Sequence, residues 1–272
     1  MLKAIATTAV VIVGLSVPAW AEEDEAARAT RWQDLKHALF GERQVVEGSG
    51  VITLDAPVRA MDAATVPVSI TLPSAAEQMS GKIAAVWLVV DGNPSPLAGT
   101  FHFGPAADPH SLRTRVRVDQ YTLIHAIAET ENGRLFATDR YVKAAGGCSA
   151  PSSKDPQVAM SRLGQMRVRL EGDAPVADGA TVTANLLISH PNNNGMQMDQ
   201  LTHNYIPPRY IQDIDVRYGN EKVFSVETDI SLSEDPVITF GLHLNGDGPL
   251  HVDMQDSTRA AFHQDFALLK RS

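Results

Sequence analysis

The residue best suited to covalent chemistry is Cys148, the only cysteine in the 272-residue chain. It stands in Gly146-Gly147-Cys148-Ser149, where the small neighbours offer no bulk to bury a thiol. Free cysteines are usually buried, and an exposed thiol in an oxidising compartment is open to mixed disulfides and over-oxidation unless it is used. We therefore predict a functional thiol, with Gly146, Gly147 and Ser149 giving its segment flexibility.

A flexible segment is a poor place for a catalytic nucleophile, because that role needs a fixed base and an oxyanion site. A thiol on a moving arm suits a carrier, which holds a group covalently and presents it to other proteins. The sequence also lacks G-x-S-x-G, G-x-G-x-x-G and H-E-x-x-H motifs. We predict a carrier that is not an enzyme and needs no cofactor.

One polar loop offers a competing set of metal ligands. Soft thioether sulfur together with imidazole can bind copper. The residues of this alternative copper site are His190, Met196, Met198 and His203. The asparagines that precede Met196 are ordinary turn formers, so the carrier is preferred and the copper site is kept as the alternative.

Residues 22–143 are predicted to form a short helix followed by β-strands. Apolar residues in 23–40 recur at near-helical spacing, and Gly41 stands where a helix usually ends. From residue 45 the pattern becomes strand-like, and Asn132-Gly133 between two such runs predicts a hairpin. Closely spaced strands without intervening helices indicate an antiparallel sandwich.

The stretch Leu112–Val118 alternates apolar and cationic residues, which is typical of a half-exposed strand. Its arginines, Arg113, Arg115 and Arg117, then point to one side of the sheet. We interpret them as a solvated face, with an anion-facing patch as the alternative.

A change of composition divides the chain after residue 143. Residues 144–160 are rich in Gly, Pro and Ser and are predicted to be a flexible linker carrying Cys148. Strand-like runs resume in 161–272, with a second hairpin at Gly219-Asn220. The predicted fold class is all-β, with two antiparallel β-sandwich domains and a short N-terminal helix.

Charge and the first residues limit partners and location. The formal net charge of −9 argues against binding nucleic acid, which needs a basic surface. Residues 1–21 combine a basic start, an apolar stretch and a small-residue ending, as a cleaved signal peptide does. No later segment is apolar enough to span a membrane. We expect a periplasmic protein with no membrane span in its mature form.

Several motifs resemble the SoxYZ sulfur carrier. Gly146-Gly147-Cys148 after a β-sandwich is similar to the swinging arm of SoxY. Two further SoxY-like segments are Phe40-Gly41-Glu42-Arg43 and Thr100-Phe101-His102-Phe103. The loop 187–195, with His190-Pro191, and the following 205–211 resemble SoxZ. The resemblance implies immunoglobulin-like sandwiches for 22–143 (SoxY-like) and 161–272 (SoxZ-like), and sulfur intermediates conjugated to Cys148.

The order SoxY then SoxZ in one chain resembles the quinoprotein dehydrogenase-associated SoxYZ-like carriers. It implies sulfur-processing enzymes, as in thiosulfate oxidation, or components of a quinoprotein (PQQ) dehydrogenase as partners. The arm of SoxY ends its chain as Gly-Gly-Cys-Gly-Gly, whereas here Cys148 is followed by Ser149-Ala150-Pro151 and a second half. The alternative function is a non-covalent accessory or copper-binding module of a periplasmic dehydrogenase.

Overall fold

The computed structural model describes residues 25–73, 81–151, 156–172, 177–246 and 248–268. The predicted N-terminal helix is α1 (Glu25–Phe40), and it ends where Gly41, at φ 60°, donates its N–H to the His37 carbonyl. Glycine adopts this left-handed conformation at no steric cost. A second helix, α2 (Pro156–Ser161), begins within the predicted linker and ends one residue beyond it. The predicted signal peptide, 1–21, lies outside the described residues.

Within the described residues, eight strands precede Cys148. They are β1 (Val45–Glu47), β2 (Thr53–Asp55), β3 (Val66–Thr71), β4 (Ile83–Val90), β5 (Leu97–Phe103), β6 (Ala107–Val116), β7 (Thr122–Thr130) and β8 (Leu135–Val142). The predicted hairpin at Asn132-Gly133 is confirmed, since β7 and β8 pair antiparallel with Thr122 opposite Val142.

Seven described strands follow Cys148. They are β9 (Met166–Leu170), β10 (Thr181–Ile188), β11 (Ile211–Tyr218), β12 (Glu221–Thr228), β13 (Val237–His243), β14 (Leu250–Asp256) and β15 (Ala261–Phe266). The second predicted hairpin is confirmed between β11 and β12. Strand β11 begins at Ile211, shortly after Pro207 and Pro208, which have no N–H to donate to a sheet.

The described strands form two sheets, and each sheet contains strands from both halves of the chain. The larger has the order β1-β8-β7-β4-β5-β12-β11-β14-β15, and the smaller β2-β3-β6-β13-β10-β9. The halves meet where β5 pairs with β12 and β6 pairs with β13, both antiparallel. The all-β prediction is confirmed, and the joining of the two halves through both sheets is a feature that strand patterning did not indicate.

Three phenylalanines fill the core at this junction. The ring centroids of Phe101 and Phe224 are 6.3 Å apart, and those of Phe224 and Phe240 are 4.9 Å apart. Phe101 lies on β5, Phe224 on β12 and Phe240 on β13, and all three are buried. One apolar core therefore runs from the first half into the second.

Helix α1 packs against a second, smaller core on the larger sheet. Trp32 and Leu35 contact a cluster that includes Val89 and Ile127. The Trp32 ring also stacks on the buried His125 ring at 3.7 Å. The periodic apolar residues of 23–40 thus have a packing role, as their spacing predicted.

Phe224→Ala is expected to lower the free energy of unfolding by about 3–5 kcal/mol, because it removes the ring between the two halves. Urea unfolding followed by tryptophan fluorescence and by far-UV circular dichroism measures this loss. The matched control is Leu201→Ala, since Leu201 is 92% exposed and should cost less than about 0.5 kcal/mol. Equal losses in the two variants would contradict a core shared by the halves.

Candidate functional site

The Cys148 segment is docked against the end of β6. The N–H of Gly146 donates to the Asp119 carbonyl at 2.8 Å, and the N–H of Gly147 donates to the Val118 carbonyl at 2.9 Å. Cys148 itself is only 1% exposed. The prediction of an exposed thiol on a flexible linker is therefore wrong for this part of 144–160, because backbone hydrogen bonds hold the segment and the fold supplies the bulk that its neighbours lack.

Gly147 serves close packing here. A Cβ atom at this position would stand 2.0 Å from the Ala63 carbonyl oxygen, which already accepts the Val118 N–H. Gly146 adopts φ 78°, and the Ser149 hydroxyl donates to its carbonyl at 3.3 Å. The residues predicted to give flexibility, Gly146, Gly147 and Ser149, thus form a tight turn in this structure.

Arg117 lies beneath the segment instead of on a solvated face. Strand β6 ends at Val116, and the Arg117 N–H donates to the Ser231 carbonyl, so the outward alternation stops one residue earlier. Its guanidinium is buried, with Nη1 donating to the Gly147 carbonyl at 3.2 Å and Nη2 to the Asn192 carbonyl at 3.5 Å. Its Nε has no hydrogen-bond acceptor among the described residues. Burial lowers the pKa of Arg117, yet a guanidinium remains charged in proteins.

A buried asparagine fixes the main chain around Arg117. Asn93 donates to the Arg117 carbonyl at 2.7 Å and to the Ser231 hydroxyl at 2.9 Å, and it accepts the Asp119 N–H at 2.9 Å. It follows Asp91, a buried carboxylate that accepts from Arg31 of α1 at 2.5 Å. Helix α1 is thus connected, through Asp91 and Asn93, to the main chain at Arg117 beneath the Cys148 segment.

The second half of the chain also binds the cysteine. Asn194 donates its side-chain N–H to the Cys148 carbonyl at 2.7 Å. The loop that carries it is held by Asn192, which donates to the Leu232 carbonyl at 2.8 Å and accepts the Ile211 N–H at 2.9 Å. Contacts from both halves therefore fix the position of Cys148.

His190 belongs to the same loop but has no lone pair free for copper. Its Nδ1 accepts the Asn192 N–H at 3.0 Å, so the proton lies on Nε2, which faces the Asp256 carboxylate at 3.6 Å. Burial lowers the pKa of His190 to about 4, which keeps the ring neutral. The remaining residues of the alternative copper site differ in burial, with Met196 half-buried and Met198 and His203 exposed. This arrangement does not support the alternative.

The environment of the thiol keeps it protonated. Burial and the neighbouring Asp119, which accepts a hydrogen bond from the thiol, raise the pKa of Cys148 to about 12 although Arg117 opposes the shift. The thiolate is the nucleophilic form of cysteine. Docked Cys148 is therefore held in its protonated, weakly nucleophilic form at neutral pH.

The sequence indicates the thiol but not the residues that contact it. Asp119, Asn93 and Asn194 carried no recognisable signal, since single polar residues in loops are common. The solvated face predicted for Arg117 is wrong because the period of two ends at Val116, the last residue of the strand. The run Asn192-Asn193-Asn194 was interpreted as a turn, which explains its backbone but not its contacts with the other half.

Comparison with protein families assigns both halves. Residues 36–148 match the family model of SoxY, described as sulfur oxidation protein SoxY, and residues 168–267 match that of SoxZ, described as sulphur oxidation protein SoxZ. The chain belongs to the SoxY and SoxZ families, joined in tandem. The SoxY match ends at Cys148, and Asn194 lies within the SoxZ match. The cysteine thus lies between the SoxY half and the SoxZ half. The exact borders predicted at 143 and 160 stay predictions.

Similar solved structures include a sulfur carrier protein SoxY from Chlorobium limicola f thiosulfatophilum, with 24% identity over 44% of this chain and 96% of that chain, at a TM-score of 0.36. A β-glycosidase from Bacteroides vulgatus shares 10% identity over 80% of this chain and 24% of that chain, at a TM-score of 0.25. No curated protein matches the chain. Among the described residues, no helix is long and apolar enough to cross a membrane.

Alkylation of Cys148 is expected to have an unusual pH dependence. Because docking raises the pKa of Cys148 to about 12, the thiolate fraction of the folded chain keeps growing with pH. We expect the iodoacetamide rate to rise about tenfold per pH unit through pH 9 and 10, where an ordinary thiol, with a pKa of about 8.5, levels off. The chain unfolded in urea is the control and should reach its plateau near that ordinary pKa.

Asp119→Asn tests the electrostatic part of this shift. The variant removes a negative charge beside the thiol and leaves burial in place, so the pKa of Cys148 should fall and alkylation at pH 8 should become faster. Asp229→Asn, at another partly buried aspartate, is the comparison variant and should not change the rate. An unchanged rate in Asp119→Asn would show that burial alone protects the thiol.

Proposed function

We propose that this protein is a sulfur carrier that holds a sulfur-containing group on Cys148 and presents it to partner enzymes, without catalysing a reaction itself. The observation that carries the proposal is the position of Cys148, which ends the SoxY match and is bound by Asn194 of the SoxZ half. The thiol belongs to the SoxY half, and Asn194, which binds its segment, belongs to the SoxZ half. This arrangement suits storage and release of a covalent adduct.

The proposal requires the docked segment to open. Within the described residues, four hydrogen bonds hold its main chain, from the N–H groups of Gly146 and Gly147 and to the carbonyls of Gly147 and Cys148. At about 1 kcal/mol net for each bond, opening costs about 4 kcal/mol, which leaves roughly one chain in a thousand open. Such a population is low enough to protect the thiol and high enough for a partner to capture.

Opening also changes the chemistry of the sulfur. Away from Asp119 and from its buried surroundings, Cys148 loses the causes of its raised pKa and becomes an ordinary, partly ionised thiol. Loading then follows thiol–disulfide exchange. The thiolate attacks a donor of the form RS–SR′, a new Cys148–SR bond forms, and R′S⁻ leaves and takes up the proton released from the thiol. No external oxidant is needed, because the donor is already at the disulfide level.

The proposal places the carrier in the periplasm. Its support is the sequence of residues 1–21, which has the charge and hydropathy of a signal peptide. In an oxidising compartment, docking would protect the Cys148 thiol from over-oxidation between rounds of transfer. The fused SoxY–SoxZ order, similar to the quinoprotein dehydrogenase-associated carriers, supports an accessory role beside a quinoprotein dehydrogenase.

Intact-mass spectrometry of the protein purified from its native cells without reductant tests the carrier role. We expect a sulfur-containing adduct that dithiothreitol removes, and peptide mapping should place it on Cys148. The Cys148→Ser variant, purified in the same way, should carry no adduct. An unmodified wild-type chain under conditions in which its partners are active would contradict the proposal, as would an equal adduct in the serine variant.

Asn194→Ala is expected to release the docked segment more often. It removes a hydrogen bond to the Cys148 carbonyl worth about 1 kcal/mol, so alkylation of Cys148 at neutral pH should become about fivefold faster. The matched control is Asn220→Ala, at an exposed position in the hairpin between β11 and β12. If both variants react at the wild-type rate, the SoxZ half does not control access to the thiol.

A further inference from the structure

Two histidines and two aspartates form a compact square on the last two strands. His251 and Asp253 lie on β14, and His263 and Asp265 lie on β15. In the antiparallel register, His251 stands opposite Asp265, and Asp253 stands opposite His263. Residues two apart on a strand share a face, so all four side chains project from the same side of the sheet. The strand pairing therefore places imidazole and carboxylate groups side by side.

Three ligand atoms of this square converge. The Oδ1 atom of Asp265 lies 2.6 Å from Nδ1 of His251 and 3.0 Å from Nε2 of His263. All three atoms lie within 4.8 Å of one another. Tetrahedral ligands at about 2.1 Å from zinc lie about 3.4 Å apart. These side chains are partly exposed, so their own side-chain torsions can adjust the present spacing toward that value.

Asp253, the fourth residue of the square, lies where it would orient a metal-binding histidine without binding the metal itself. Asp253 Oδ1 accepts a hydrogen bond from Nδ1 of His263 at 2.8 Å, which turns Nε2 of the same ring toward Asp265. Histidines that bind metals nearly always donate their other ring N–H to a carboxylate or carbonyl group. A surface ion pair needs no such second carboxylate behind the ring.

We infer that His251, His263 and Asp265 form a binding site for a divalent transition-metal ion of the zinc class, with Asp253 orienting His263. Nitrogen and oxygen ligands of this kind suit zinc, whereas magnesium and calcium prefer oxygen alone. Three protein ligands leave a fourth position open to water. The site belongs to the edge of the SoxZ half and is independent of the carrier role of Cys148.

The surrounding charges fit a cation. Two carboxylates flank the His263 ring, with an Asp253 oxygen 2.8 Å from Nδ1 and an Asp265 oxygen 3.0 Å from Nε2. Arg217 of β11 lies beside the square, with Nη2 4.0 Å from Asp253, and its own charge is balanced by Asp215 at 3.6 Å. A metal ion would take the place of a proton on Nε2 of His263, while Nδ1 would keep its hydrogen bond to Asp253. It would also fasten β15, an edge strand of the larger sheet, to β14.

Calorimetric titration with ZnCl₂ tests the site in the full chain without a histidine tag. Cys148→Ser serves as the background, so that a thiolate cannot contribute to binding. We expect one zinc ion per chain and no comparable binding of MgCl₂. Asp253→Asn should weaken zinc binding by about tenfold, as loss of an outer-shell partner does, and His263→Gln should weaken it further.

The matched control is His102→Gln, at an exposed histidine on β5 that leaves the square intact. It should bind zinc as the background chain does, and zinc should slow hydrogen exchange of the β15 amides in both. Far-UV circular dichroism confirms that each variant is folded. Equal zinc affinity in His263→Gln and His102→Gln would overturn the inference, as would binding that leaves the exchange of β15 unchanged.

Discussion

The pairing of β5 with β12 and of β6 with β13 is the constraint on which the rest of this structure depends. It joins the SoxY and SoxZ halves through both sheets and places Phe101, Phe224 and Phe240 in one core. Because both sheets continue across the junction, a loop of the SoxZ half lies against the cysteine segment of the SoxY half. A loosely tethered pair of domains could not hold Asn194 at 2.7 Å from the Cys148 carbonyl.

The burial of Cys148 and the charges around it are the opposite of what a reactive cysteine needs. Activated cysteines usually lie beside cationic groups and are partly exposed. Here burial and Asp119 together outweigh the nearby guanidinium of Arg117, and the result is a protonated thiol. Arg117 is instead used to hold main-chain carbonyls on both sides of the junction. The site is therefore built for protection, and reactivity has to come from a change of position.

Local chemistry was well predicted from the sequence, and tertiary placement was not. Asn132-Gly133 and the helix end at Gly41 are set by backbone conformations that few residues adopt, so their signals are local and reliable. The glycines beside Cys148 led to the wrong prediction of a flexible segment, because their signal is also only local. Glycine permits both free movement and close approach, and only the Ala63 carbonyl at its side decides which of the two applies to Gly147. The register of β6 with β13 had no local signal at all.

Attachment at both ends sets how the thiol can be presented. The segment leaves β8 at Val142 and continues toward α2, which begins at Pro156, so Cys148 lies on an internal loop. A free terminus can enter a narrow channel as a single strand, whereas a loop must enter as two strands side by side. A partner of this carrier therefore needs a wide or shallow cleft. It must also compete with the four main-chain hydrogen bonds of the docked segment, so recognition of the loop and release of the thiol are the same event.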